Sequence, residues 1–90
     1  MEKCWQLYIL RCGDGTLYTG IAVDAQKRLA MHQSGTGAKY TRGRGPLRLV
    51  YRERCESHAQ ALRREIEVKK LTRAQKDALI ARKENTAETP

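Results

Sequence analysis

Two rhythms of apolar and polar positions run along the chain. Residues 5–12 and 17–23 are rich in Leu, Ile, Tyr and Val and read as strands, joined by the turn Gly13-Asp14-Gly15. Residues 47–55, "LRLVYRERC", alternate well enough for a third strand. Elsewhere the helical period takes over. Asp24 stands as an N-cap before "AQKRLAMHQ", a short helix that stops at Ser34-Gly35. Ser57-His58-Ala59-Gln60 and Thr72-Arg73-Ala74-Gln75 fit capping boxes, which predicts helices over about 58–70 and 73–83 with a tight joint at Leu71-Thr72. Between the first helix and the third strand lies "SGTGAKYTRGRGP", a long glycine-rich loop of the kind that usually carries function or mobility. The order β-β-α-β-α-α predicts an α+β fold, a three-stranded antiparallel sheet flanked by helices. Ninety residues leave room for one core, so a single domain over 1–84 is expected, with 85–90 as a disordered tail.

The turn fixes which side chains share a face. With Gly13-Asp14-Gly15 as a three-residue loop and Gly15 left-handed, Leu10 pairs with Tyr18 and Tyr8 with Gly20. Tyr8 and Tyr18 then become diagonal neighbours on one face. A two-residue turn would send them to opposite faces. Gly20 opposite Tyr8 leaves a gap where a ligand or backbone could approach. Tyrosine favours strands on its own account, so the pair alone is compatible with ordinary packing.

Polar residues interrupt the apolar arcs of two helices. Measured from Leu62, Ile66 and Ala59 lie on one side of the arc and Ala61 and Val68 on the other. Gln60, Arg63, Arg64, Glu67 and Lys70 fill the solvent face, yet Glu65 falls at about −60°, inside the arc. A carboxylate there needs a partner: either Lys69 one turn on, or a bound cation. In the first helix, Arg28 and His32 stand one turn apart beside the stripe of Ala25 and Leu29. Packing and function both remain open for each.

Charge narrows the partners. Eighteen Lys and Arg against ten Asp and Glu give a formal net charge of +8, which favours a polyanion. From Lys39 to Arg54 the bases Lys39, Arg42, Arg44, Arg48, Arg52 and Arg54 face Glu53 alone. Cys4, Cys12 and Cys55 form no C-x-x-C pair, so reduced, mostly buried thiols are expected rather than a zinc knuckle or disulfide framework. The opening "MEKCWQLYIL" has too short an apolar run for a secretory signal, and no stretch approaches a membrane span. A cytoplasmic location away from membranes is the expectation.

Taken in order, Tyr8, Tyr18, Arg28, His32 and Glu65 give the spacing Tyr-x₉-Tyr-x₉-Arg-x₃-His with a Glu in a later helix. With "QLY", "YTG" and "GAKYTRG", this set resembles the GIY-YIG nuclease superfamily, in particular its small stand-alone bacterial members, over roughly residues 5–80. The resemblance implies hydrolysis of DNA phosphodiesters with one divalent cation, magnesium or manganese. It implies catalytic roles for Tyr8, Tyr18, Arg28 and His32, with Glu65 as the metal-binding carboxylate. Lys39, Tyr40, Arg42 and Arg44 would hold nucleic acid. Double-stranded, branched and single-stranded substrates all stay open, and a protein partner has room to act. The chain departs from the name motif in having Gln6-Leu7 before Tyr8 and Thr19 before Gly20. Some members use a late asparagine; here Asn85 lies in the expected tail and carries no role. Larger members append a DNA-binding or repair domain. The competing reading is a nucleic-acid-binding module with little or no catalysis, which would need the basic loop but not Glu65.

Overall fold

A computed structural model describes residues 4–87, with side chains described up to residue 82. The elements are β1 (Trp5–Arg11), β2 (Leu17–Ala22), α1 (Ala25–Gln33), a 3₁₀ turn η1 (Lys39–Thr41), β3 (Arg48–Cys55), α2 (His58–Lys69) and α3 (Arg73–Ala87). The three strands form one antiparallel sheet in the order β2-β1-β3. The expected fold class is therefore the observed one. Two details differ. The glycine-rich loop contains the short turn η1, and α3 continues to Ala87, beyond the expected end at 83. The tail expected over 85–90 overlaps that helix, and its last three residues lie outside the described ones.

β1 is central, so both of its faces are covered, and Leu7, Tyr8, Ile9 and Leu10 are all buried. Leu7 and Ile9 point to the face carrying α2 and α3, where they meet Tyr51, Cys55, Ala61, Val68 and Ile80. Tyr8 and Leu10 point to the α1 face with Cys12, Ala22, Ala25 and Leu47. The cysteines are free; Cys12 and Cys55 are buried.

The caps form as their residue types dictate. Asp24 accepts from the Lys27 amide (3.1 Å), and Gln6 of β1 accepts from the Ala25 amide (2.8 Å), pinning the start of α1 to the sheet. Ser57 accepts from the Gln60 amide (3.1 Å). At α3 the exchange is reciprocal: Thr72 Oγ1 accepts from the Gln75 amide (3.1 Å), and Gln75 Oε1 from the Thr72 amide (2.9 Å).

The roll of α2 overturns the expected arc. Leu62 and Ile66 are exposed, whereas Ala61 and Val68 are fully buried. The inward face is thus turned by about 110° from the arc centred on Leu62. The small side chain of Ala61 lets the helix lie close to the sheet, and that closeness decides the face. Arg64, expected in solvent, is instead partly buried. Its Nε donates to Glu53 (2.7 Å), and its NH1 pairs with Glu67 (3.1 Å). Glu53 also accepts from the Tyr51 hydroxyl, whose pKa is pushed up to about 12, first by burial and then by that carboxylate. This clasp ties β3 to α2.

Candidate nuclease site

The hairpin closes as a three-residue loop: the Gly15 amide bonds the Cys12 carbonyl (2.9 Å), and Gly15 is left-handed at φ +88°. The register follows, with Leu10 opposite Tyr18 and Tyr8 opposite Gly20. The two phenol rings lie 6.4 Å apart, centroid to centroid. The gap expected over Gly20 is filled, however, by the Tyr8 ring itself. A methyl on Gly20 would lie 2.6 Å from Tyr8 Oη, so glycine is what lets the phenol cross its neighbouring strand.

From the other side α1 delivers His32. It is 3 % exposed, and its Nε2 lies 2.9 Å from Tyr8 Oη. Its Nδ1 receives the Ala38 amide (3.1 Å) and contacts Thr41 Oγ1 (3.0 Å), while the Thr41 hydroxyl donates to the Ala38 carbonyl (2.8 Å). A backbone N–H can only donate, so Nδ1 must offer its lone pair. Neutral His32 therefore carries its proton on Nε2 and donates it to Tyr8 Oη. Burial, and next the charge of Arg28, hold the His32 pKa below its usual value, which keeps the ring in this neutral form. Ala38 and Thr41 had no signal in the sequence. Their role arises only because the chain crosses over His32 at Gly37, where any side chain would strike the imidazole.

Tyr8 is itself held protonated. Its pKa stands well above the usual phenol value, chiefly through burial, then through Tyr18. Arg28 pulls it down and Glu65 pushes it up. Arg28 is exposed on α1, and Glu65 stands on α2. The side chain of Glu65 is 20 % exposed, on the inward face between Ala61 and Val68, and Lys69 Nζ lies 3.1 Å from its Oε2. Lys69, one of the two partners expected for this carboxylate, is thus within ion-pair distance of it. Among the described residues no group of three His, Cys, Asp or Glu side chains converges as a metal site. A hard divalent ion here would have Glu65 with water and phosphate oxygens, a donor set that suits magnesium.

The glycine-rich loop closes over Tyr18. The Tyr40 ring stacks on Tyr18 with centroids 5.8 Å apart at 29°, and Tyr18 meets His32 edge-on at 5.2 Å. Arg44 fixes Tyr40: its guanidinium lies 4.4 Å over the ring, its Nε donates to the Tyr40 carbonyl (2.7 Å), and its NH1 pairs with Asp14 (2.6 Å). Thr16 and Arg44 hold the Asp14 pKa down at about 2. Arg44 is thus committed within the protein, while Lys39, Tyr40 and Arg42 are exposed. A hollow of about 350 Å³ opens behind His32, with Thr41, Arg42 and Leu47 in its wall. Another, of about 430 Å³, lies beside Trp5, Lys27, Arg28 and Met31.

With that geometry in place, the comparisons are specific. The chain matches the GIY-YIG catalytic domain over residues 4–78. It is 52 % identical over 74 residues to a UPF0213 protein of Halobacterium salinarum, covering 82 % of this chain and 96 % of that one. A UPF0213 protein of Clostridium perfringens is 53 % identical over 77 residues, covering 86 % and 83 %. The solution structure of the UPF0213 protein BH0048 from Bacillus halodurans superposes with a TM-score of 0.59 at 49 % identity, covering 89 % of this chain and 85 % of its own. Among the described residues no helix is long and apolar enough to cross a membrane. The chain belongs to the GIY-YIG family, whose domain is that of nucleases that generally use divalent metals.

Proposed function

We propose that the protein is a divalent-metal-dependent DNA endonuclease and that Tyr8, Tyr18, Arg28, His32 and Glu65 form its active site. One observation carries the reading: Tyr8 of β1, Tyr18 of β2 and His32 of α1 meet at a single buried phenol, with His32 Nε2 2.9 Å from Tyr8 Oη and the two phenol rings 6.4 Å apart. A pure binding surface has no use for a half-buried carboxylate at that place.

In-line hydrolysis needs a deprotonated water, charge stabilisation on the phosphoryl oxygens and help for the leaving oxygen. Arg28, exposed and within electrostatic reach of Tyr8, supplies a fork matched to phosphoryl oxygens. Tyr8 is the base. Its resting phenol is neutral, but the His32 Nε2–H and Arg28 both favour the phenolate, against burial and the Glu65 charge. Tyr18, more open than Tyr8, orients water and phosphate. His32 positions Tyr8 and stabilises its phenolate through Nε2–H, the phenol's own proton passing to solvent water before Tyr8 takes one from the attacking water. Magnesium or manganese bound at Glu65 would act as Lewis acid and cancel the charge that now opposes Tyr8 ionisation. Lys39, Tyr40 and Arg42 grip the strand, and Arg44 holds Tyr40 in place. DNA repair in the cytoplasm is the setting that suits such an activity.

Nicking of supercoiled plasmid across a Mg²⁺ titration tests the reading. Cleavage should rise with Mg²⁺ or Mn²⁺ and vanish in chelator. A protein that binds DNA with salt sensitivity but never nicks it under either metal would instead be a nucleic-acid-binding module.

A further inference from the structure

Beyond the five site residues, a hollow of about 240 Å³ lies against the outer side of Tyr18, lined by Leu17, Tyr18, Thr19, Tyr40, Lys69 and Lys76. Four elements build it: β2, η1, α2 and α3. Two tyrosines and two lysines are among the residues of its wall. Lys69 has one partner, Glu65. Lys76 is partly buried, and among the described residues no carboxylate pairs with it. Two lysines in the wall of one hollow, one of them with no carboxylate partner among the described residues, favour an anion there. A single surface lysine would carry no such meaning; a pair in the wall of one hollow with Tyr18 and Tyr40 does.

We propose that this hollow is a second nucleic-acid subsite, which takes the nucleotide next to the cleaved bond. Its phosphate lies between Lys69 and Lys76, and its sugar or base lies against Tyr40. The hollow is small, so the occupant proposed is one nucleotide of a single strand. Aromatic walls with flanking cations are the usual means of holding single-stranded nucleic acid. Lys69 is then shared: a phosphate in the hollow draws its ammonium from Glu65 and leaves that carboxylate for a metal ion. This rests on the nuclease reading only in naming the neighbouring bond as the one cut.

The test is binding in chelator, where no cleavage occurs. A labelled single-stranded oligonucleotide is followed by fluorescence anisotropy over a range of salt. Lys76→Ala should weaken binding by about three- to tenfold and flatten the log–log salt slope by about 0.7, the contribution of one neutralised phosphate on a single strand. Lys76→Arg should retain most of the affinity. Lys70→Ala removes the same charge from an exposed neighbouring position and should change binding far less. Wild-type affinity and slope in Lys76→Ala, or an equal loss in Lys70→Ala, would overturn the subsite. Circular dichroism reports folding of each variant. A Lys76 effect in a protein that never nicks DNA would sink the nuclease reading and spare the subsite. Nicking with no Lys76 effect on binding would do the reverse.

Discussion

At the scale of single residues, the site depends on two places where a side chain is missing. Gly20 lets the Tyr8 ring cross β2, and Gly37 lets the loop cap His32. Gly20→Ala should displace Tyr8 Oη from His32. We expect cleavage to fall by at least about tenfold while thermal unfolding shows a loss of about 1–3 kcal/mol, the range for overpacking. The buried imidazole adds a pH signature. The folded pKa of His32 lies below the ordinary 6.5, so the unfolded chain takes the proton first as pH falls. Stability is full above about 6.5 and declines as pH drops from there toward the folded value. Urea midpoints at about pH 7.5 and about pH 5.5 should therefore differ, and His32→Gln should shrink the difference. At this scale the sequence spoke in part. The order of Tyr8, Tyr18, Arg28, His32 and Glu65 was legible because spacing alone records it. The Ala38 amide, Thr41 and the proton on Nε2 were not, because they depend on a chain crossing that only the folded loop creates.

Among the elements, local rules carried the fold and long-range ones set the details. The register of β1 with β2 could be read because Gly15 permits the left-handed turn that fixes it. The starts of all three helices could be read because Asp24, Ser57 and Thr72 satisfy amides three residues on. The roll of α2 could not. Periodicity finds an apolar stripe, but Leu62 and Ile66 look the more buried until the close approach at Ala61 is known. Substitution tests that correction. Leu62→Ala, on the exposed flank, should cost under about 1 kcal/mol, whereas Ala61→Leu should cost about 1–3 kcal/mol by prying the helix from the sheet. Ala61→Leu should also lower cleavage, since Glu65 sits one turn along the same face. Chemical unfolding of the two variants decides the matter; the opposite ranking would restore the expected arc.

Across the whole molecule, the positive charge and the position of the loop set how DNA would be held under the proposed function. The excess of +8 gives any polyanion a general attraction, which salt screens. The loop then gives it direction, because Arg44 and Asp14 tie Tyr40 to the hairpin turn beside Tyr18. Neutralising Lys39 and Arg42 together should lower duplex affinity and reduce the salt slope by about 2, at about 0.9 for each phosphate no longer neutralised. Arg44→Ala should act differently. It should loosen Tyr40 and reduce cleavage more than its share of the charge predicts, because this guanidinium is engaged inside the protein. Salt-dependent binding read beside cleavage separates the two effects. The sequence disclosed the charge and the loop, but not that one of the loop's arginines serves as its anchor.

For the proposed chemistry to operate, Arg28 and Glu65 must both act on the phosphate that meets Tyr8. The most direct measurement is the initial rate of Mg²⁺-dependent plasmid nicking by wild type, Arg28→Ala and Glu65→Ala, purified alike and matched for folding. Loss of at least about a hundredfold in both variants, with DNA binding largely kept, is the predicted result. Nicking at the wild-type rate in either variant would contradict it.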